Sequence, residues 1–206
     1  MNDVLTLDAP WVPEVVDVIH ESFFDYPVMR FVLGERDDYG DAVRALVHFF
    51  VMARVFRNET LIGVPGDEGL IGAALISRPG GADPDAAFYR LRDEVWAKLG
   101  REARDRYTAF GEACAPFQPV EPHLHLNMIG VRRRARGTGL GRKLIEHVHE
   151  MSRLDERSVG VTLTTEDPAN VPLYQHMGYE IIGHAEVAPE LRTWGFFRPD
   201  EGAVVR

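Results

Sequence analysis

The sequence predicts an α/β fold in which helices pack on a mixed sheet, and three observations predict it. Stretches with helical period alternate with short β-branched runs in the order ααββα(α)βαβαββ. One of those runs leads through a glycine-rich loop into a helix. The composition, 45% hydrophobic and 27% charged over 206 residues, is that of a folded chain able to bury a core without disulfides. The length suits one domain over residues 1–206, with a helical insert and connector at about 84–122 inside it.

The elements follow in order. In "DAPWVPEVVDVIHESFFDYP", Val15, Val18, Ile19 and Phe23 share one helical face. Asp8 is its expected cap, Pro10 an early position and Pro27 its end. A short aromatic stretch, "VMRFVLG", follows. A second helix runs from about Tyr39 to Arg57, with Leu46, Phe49, Phe50 and Ala53 inward. "TLIGVPG" and "GLIGAALISRPG" read as a hairpin turning at Gly66-Asp67-Glu68-Gly69. Residues 84–115 read as helix in two pieces, broken near Gly100, with Leu91, Val95 and Leu99 on one face. Pro116, Pro119 and Pro122 stiffen the connector. "HLHLNMIGV" is a strand, and "GLGRKLIEHVHEMSRL" a helix with Leu140, Leu144, Val148 and Met151 inward. "SVGVTLTTE" is a strand and "NVPLYQHMG" a short helix between Asn170 and Gly178. "YEIIGHAEV" and "RTWGFFR" are the last strands.

Several function classes are disfavoured at once. A formal charge of −9 does not suit a general nucleic-acid binder, which needs a broad basic face. No run of eighteen apolar residues suggests a membrane span, and "MNDVLTLDAPW" lacks the basic start and apolar core of a secretory signal. Cys114 stands alone, so no internal disulfide forms and a reducing, cytoplasmic setting is expected. It reads as a packing residue rather than a nucleophile. No metal site is expected.

Against that acidic background, "RRRARGTGLGRK" (132–143) gathers five arginines and a lysine around Gly137, Gly139 and Gly141. Gly141 is not followed by the Lys-Ser/Thr of a Walker A loop, and the G-x-G-x-G spacing is not that of a dinucleotide fingerprint. What remains is strand, basic loop, glycines, helix. Glycines admit close backbone approach. The helix start presents unpaired N–H groups and a positive dipole end to an anion. A pyrophosphate is the natural occupant, with Arg132, Arg133, Arg134, Arg136, Arg142 and Lys143 available around it.

These residues resemble the GNAT superfamily of N-acetyltransferases. Arg136-Gly137-Thr138-Gly139-Leu140-Gly141 matches the R/Q-x-x-G-x-G/A loop, and "NVPLYQHMGYEIIG" resembles a second family signature. "FFDYP", the insert ending in "EPHLHLNMIGV" and the ending "RTW" are similar to the puromycin N-acetyltransferase group of small-amine acetyltransferases. The likeness is specific over 123–183 and looser before. It implies a mostly antiparallel sheet flanked by helices and splayed between the fourth and fifth strands. It implies acetyl-CoA as cosubstrate, no metal, and direct transfer to a small-molecule amine in a ternary complex. A homodimer is compatible with it.

The resemblance also assigns roles. Ile129 and Val131 would offer backbone groups to the pantetheine arm, and the Val131 N–H would hold the charge developing on the thioester oxygen. Gly130 would accommodate a local irregularity. Tyr174 matches the family's proton donor to the departing thiolate, and Asn170 a helix cap or pantetheine contact. Strand alternation puts His123, His125, Asn127, Ile129 and Val131 on one face, which makes His125 the leading general base, ahead of Glu68 and Glu166. Phe23, Phe24, Tyr26 and Phe31 either line the acceptor pocket or pack the core. Two other functions share this fold: transfer to protein or peptide amines, and acyl-CoA sensing without turnover.

Overall fold

A computed structural model describes residues 3–202; the first two residues of the N-terminal stretch read above and the last four of the chain lie outside the described residues. Seven strands form one sheet: β1 (Leu5–Leu7), β2 (Thr60–Gly66), β3 (Gly69–Ser77), β4 (Leu124–Val131), β5 (Gly160–Thr165), β6 (Glu180–Ala188) and β7 (Leu191–Pro199). Their order is β1-β2-β3-β4-β5-β7-β6. Every neighbouring pair is antiparallel except β4–β5. The helices are α1 (Val12–Phe23), α2 (Pro27–Leu33), α3 (Tyr39–Phe56), α4 (Ala86–Leu99), α5 (Arg101–Cys114), α6 (Leu140–Leu154) and α7 (Val171–His176). Among the described residues no helix is long and apolar enough to cross a membrane.

Two cores sandwich the sheet. Val15, Ile19, Leu46, Leu75, Trp96 and Met128 join α1, α3 and α4 to one face. Leu124, Leu144, Ile145, Val148, Leu163 and Phe196 join α6 to the other. The helical periodicity of α1, α3 and α6 generates these faces, so the sequence expectation holds where burial is continuous.

The N-terminal region departs from it. β1 is three residues long, too short for alternation to reveal, and is held by pairing with β2. Asp8 makes no side-chain cap bond; a 3-10 turn over Ala9–Trp11 precedes α1. α1 ends at Phe23, and Pro27 opens α2 instead of terminating the first helix. A proline without an N–H fits the first turn of a helix, where that donor has no intrahelical partner.

The end of the insert is seated on the sheet by one aromatic ring. Gly183 and Gly195 are register partners on β6 and β7. A Cβ on Gly183 would lie 1.9 Å from Phe117 Cδ1, and one on Gly195 2.5 Å from Phe117 Cβ. The bare backbone at this pair is therefore the seat for Phe117, just beyond α5. Gly195→Ala is expected to destabilise the fold by about 1–3 kcal/mol through overpacking. Urea unfolding measures this, and Phe117→Ala in the same chain should recover part of the loss.

Candidate active site

The parallel pairing of β4 with β5 covers only Leu124–Leu126 against Val161–Leu163. β4 continues to Val131 and β5 to Thr165 without further pairing to each other among the described residues. The sheet is thus splayed between its fourth and fifth strands. Arg132 N–H donates to Ile71 O across the β3 side at 2.9 Å. Backbone groups alternate sides along an antiparallel strand. The N–H groups of Val131 and Ile129 therefore face the opening.

A β-bulge sits in β4. Leu75 pairs with Met128 but Ile76 with Leu126, so Asn127 is the extra residue. Its side chain accepts from Ser77 Oγ at 2.9 Å. The bulge reverses the alternation. Leu126 and Ile129 pack on the α6 face, while Met128 packs on the α3 face. The expectation of one common face from His123 to Val131 is corrected: His125 and Asn127 serve the α3 side, Ile129 and Val131 the α6 side. The irregularity is at Asn127, not Gly130; Gly130 instead makes room for Ser22 Oγ, which a Cβ would meet at 2.6 Å.

At the start of α6, Gly137 and Gly139 have φ of +76° and +84°. Ideal Cβ atoms on Gly137, Gly139 and Gly141 would meet nothing within 4 Å. The loop is an open cradle, and Thr138 Oγ1 braces it by donating to Ala135 O at 2.7 Å. Leu140 is half-buried against the α6 core. The cations around the loop divide. Arg132 pairs with Glu21 at 2.9 Å, and Arg134 with Glu68. Arg136 has no acidic partner among the described residues; its Nε donates to Val131 O at 3.4 Å. Glu68 lies in the β2–β3 turn, occupied by Arg134 and away from the cavity described next.

Below the opening is a cavity of about 280 Å³. His125, Asn127, Ile129, Glu166, Asn170 and Tyr174 all line it; Val131 does not. Phe23 and Tyr26 line it too. Phe24 instead meets Tyr39 edge-on at 5.4 Å, and Phe31 packs on the core.

Tyr174 is buried between Tyr179 and Phe196, with ring centres 5.9 and 5.5 Å away. Its hydroxyl has no hydrogen-bond partner among the described residues. Burial, with the carboxyls of Glu166 and Asp167, pushes the phenol up to about 12. Asn170 does not cap α7 with its side chain; its Nδ2 donates to Thr165 Oγ1 at 3.1 Å.

His125 Nδ1 lies 2.8 Å from Thr162 Oγ1, and that hydroxyl donates onward to Leu124 O at 3.4 Å. The bond holds the Nδ1 side of the ring, and Nε2 has no hydrogen-bond partner among the described residues. Burial, helped by His123 and Arg54, drives His125 down to about 4. It is a neutral, weakly basic ring at neutral pH.

Glu166 is buried at the end of β5. Thr193 Oγ1 on β7 donates to its Oε1 at 2.8 Å. Cys114 Sγ lies 3.7 Å from the same hydroxyl. No bond to the second carboxylate oxygen is found among the described residues. Burial raises the carboxyl to about 7 against the Thr193 bond that lowers it. Burial also pushes the Cys114 thiol up to about 11, so it stays a thiol.

Sequence reasoning missed Arg54, Tyr107 and Phe110, which also line the cavity. A signal existed for the first: Leu46, Phe50 and Arg54 stand at i, i+4 and i+8 of α3, so a cation occupies an apolar face. Arg54 Nε sits 2.6 Å from Glu59, and its Nη1 donates to Ser77 at 2.8 Å.

Known proteins share this fold, with its parted parallel pair beneath a glycine loop. Residues 92–181 match the family model for an acetyltransferase (GNAT) domain, and the fold is shared with solved acetyltransferases. Similar solved structures extend over nearly the whole chain. A Corynebacterium glutamicum protein named histone acetyltransferase HPA2 and related acetyltransferase aligns with a TM-score of 0.73 and 22% identity, covering 99% of this chain and 100% of its own. Drosophila melanogaster polyamine N-acetyltransferase, which forms N-acetylagmatine, aligns at 0.63 and 16%, over 95% and 98%. Arylalkylamine N-acetyltransferase 2 of Aedes aegypti aligns at 0.60 and 18%, over 94% and 96%. At these identities the likeness is one of fold.

Proposed function

We propose that the chain is an acetyl-CoA-dependent N-acetyltransferase that acetylates a small-molecule primary amine by direct transfer in a ternary complex. The observation that carries this is the alignment of the open glycine cradle, the parted β4–β5 pair and the cavity holding Tyr174 and Glu166. The residues fit coenzyme A. Amides of 136–141 suit its pyrophosphate, Arg136 adds an uncompensated cation, and the outward N–H groups of Val131 and Ile129 suit an extended pantetheine arm. When bound, acetyl-CoA supplies an activated acyl group on a thiolate leaving group. No cysteine or serine lines the cavity among the described residues, which favours transfer without an acyl-enzyme.

Each side chain then has a task. Ile129 borders the cavity and Val131 does not, so the Ile129 N–H is better placed than Val131 to stabilise charge on the carbonyl oxygen. An alkylammonium has a pKa of roughly 10 and must lose a proton before it attacks. Glu166, at about 7 with an oxygen free, is the better receiver than His125 at about 4. The apolar walls also lower the pKa of a docked ammonium, which narrows the gap. His125 offers its unengaged Nε2 to a hydrogen bond with the acceptor. Tyr174 keeps its proton at every working pH and donates a hydrogen bond to the departing sulfur.

The test is release of free thiol from acetyl-CoA by the purified chain with a panel of amines. Tyr174→Phe is expected to lower kcat by about 10- to 100-fold while leaving acetyl-CoA affinity by calorimetry unchanged. An unaltered turnover removes Tyr174 from the chemistry.

A further inference from the structure

The cavity has a composition that bears on what enters it. Its walls are mostly apolar: Met29, Val32, Phe50, Tyr107 and Phe110 come from α2, α3 and α5. Glu166 is the only carboxylate among the described residues that line it. The other charge on its surface is Arg54, a cation. At about 280 Å³ the space falls near the lower end of small-molecule sites, roughly 300–1,000 Å³, and the acetyl group takes part of it.

An ammonium group can be neutralised at one place only. A second ammonium or a guanidinium on the same acceptor would enter apolar walls or meet Arg54. Burying a cation without a counter-charge is strongly unfavourable. The pairing of Arg54 with Glu59 at 2.6 Å softens that repulsion but leaves no carboxylate of the lining to receive a second cation. An aromatic or aliphatic body, in contrast, is favoured by every wall residue named above.

We propose that the acceptor is a primary monoamine with a compact apolar body, of the size of one aromatic ring on a short alkyl arm, whose amine is received by Glu166 and whose body lies against Phe50, Tyr107 and Phe110. The inference rests on the acetyltransferase reading above. It excludes linear polyamines, guanidino amines and basic peptide tails as preferred acceptors. The specificity residues are Phe50, which presents an apolar face where a polyamine would need an acid, and the α5 pair Tyr107 and Phe110, contributed by the insert.

The experiment compares 2-phenylethylamine with putrescine, agmatine and a lysine peptide in kcat/KM, alongside acetyl-CoA binding by calorimetry. The monoamine is expected to be preferred by about 100-fold or more, the scale set by one unpaired buried cation. Phe50→Asp, which adds a second carboxylate, is expected to narrow that ratio by about tenfold. Because that variant places a charge in a packed wall, Phe50→Asn serves as its control and is expected to leave the ratio closer to that of the parent. A preference for putrescine, agmatine or the peptide overturns the inference while sparing the acetyltransferase reading. Acetyl-CoA binding with no amine of the panel consumed also overturns the inference. Absence of acetyl-CoA binding overturns the reading beneath it, and the inference with it.

Discussion

Glu166→Gln is expected to lower kcat by about 10²- to 10³-fold, within the range of general-base removal. The glutamine keeps the Thr193 hydrogen bond and the shape of the site, so acetyl-CoA affinity should not move. The pH profile carries the sharper signature. In the parent chain, kcat/KM should rise with pH through about 7 as Glu166 ionises. In the variant that acid limb should vanish. His125→Ala should keep the limb, because a ring at about 4 is already neutral across it. A limb that survives in Glu166→Gln and disappears in His125→Ala would reverse the two roles.

The same substitution has an opposite effect on stability. Burial raises the carboxyl from 4.5 to about 7. The folded state therefore binds this proton more tightly than the unfolded chain. Its stabilising share is fully present below pH 4.5 and is lost as pH rises through about 7. The loss amounts to about 3 kcal/mol, from about 1.4 kcal/mol per pH unit. Glu166→Gln carries no such loss and is expected to unfold at a higher temperature than the parent at pH 8, with little difference at pH 5. A gain in stability together with a loss of turnover is what a destabilised functional group predicts.

Gly139→Asp is the second large effect. Gly139 holds φ of +84° immediately before α6, over an open cradle. An L-residue there costs roughly 1–2 kcal/mol, and an added carboxylate repels a diphosphate at the same place. Together these are expected to weaken acetyl-CoA binding by about 10²- to 10³-fold, at 1.4 kcal/mol per tenfold. Gly139→Asn, which tolerates the left-handed region and carries no charge, should lose about tenfold or less. Unchanged affinity in the Asp variant would move the donor site elsewhere.

Much of this architecture could be read before any coordinates. The glycine loop, the strand before it and the helix after it are local, and local rules govern them. The parting of β4 and β5 followed from the resemblance, and it is present in the register. What escaped was set by long-range contacts. β1 exists only because β2 pairs with it. One extra residue at Asn127 leaves no mark in the alternating pattern, yet it turns Ile129 and Val131 away from His125. Glu166 looked like an ordinary strand end; its seclusion depends on Thr193 and Cys114, which come from distant parts of the chain. Arg54 was hidden within a helix face that was otherwise apolar.

The bulge at Asn127 sends the side chains on its two sides to opposite faces of the sheet. On the proposed reading, substitutions at His125 or Asn127 alter the cavity wall, while the backbone N–H groups of Ile129 and Val131, which no side-chain change removes, still face the opening. Such a division would let the choice of amine drift without disturbing the acyl donor, so a redesign of specificity can begin upstream of residue 128 and leave the remainder of the strand untouched.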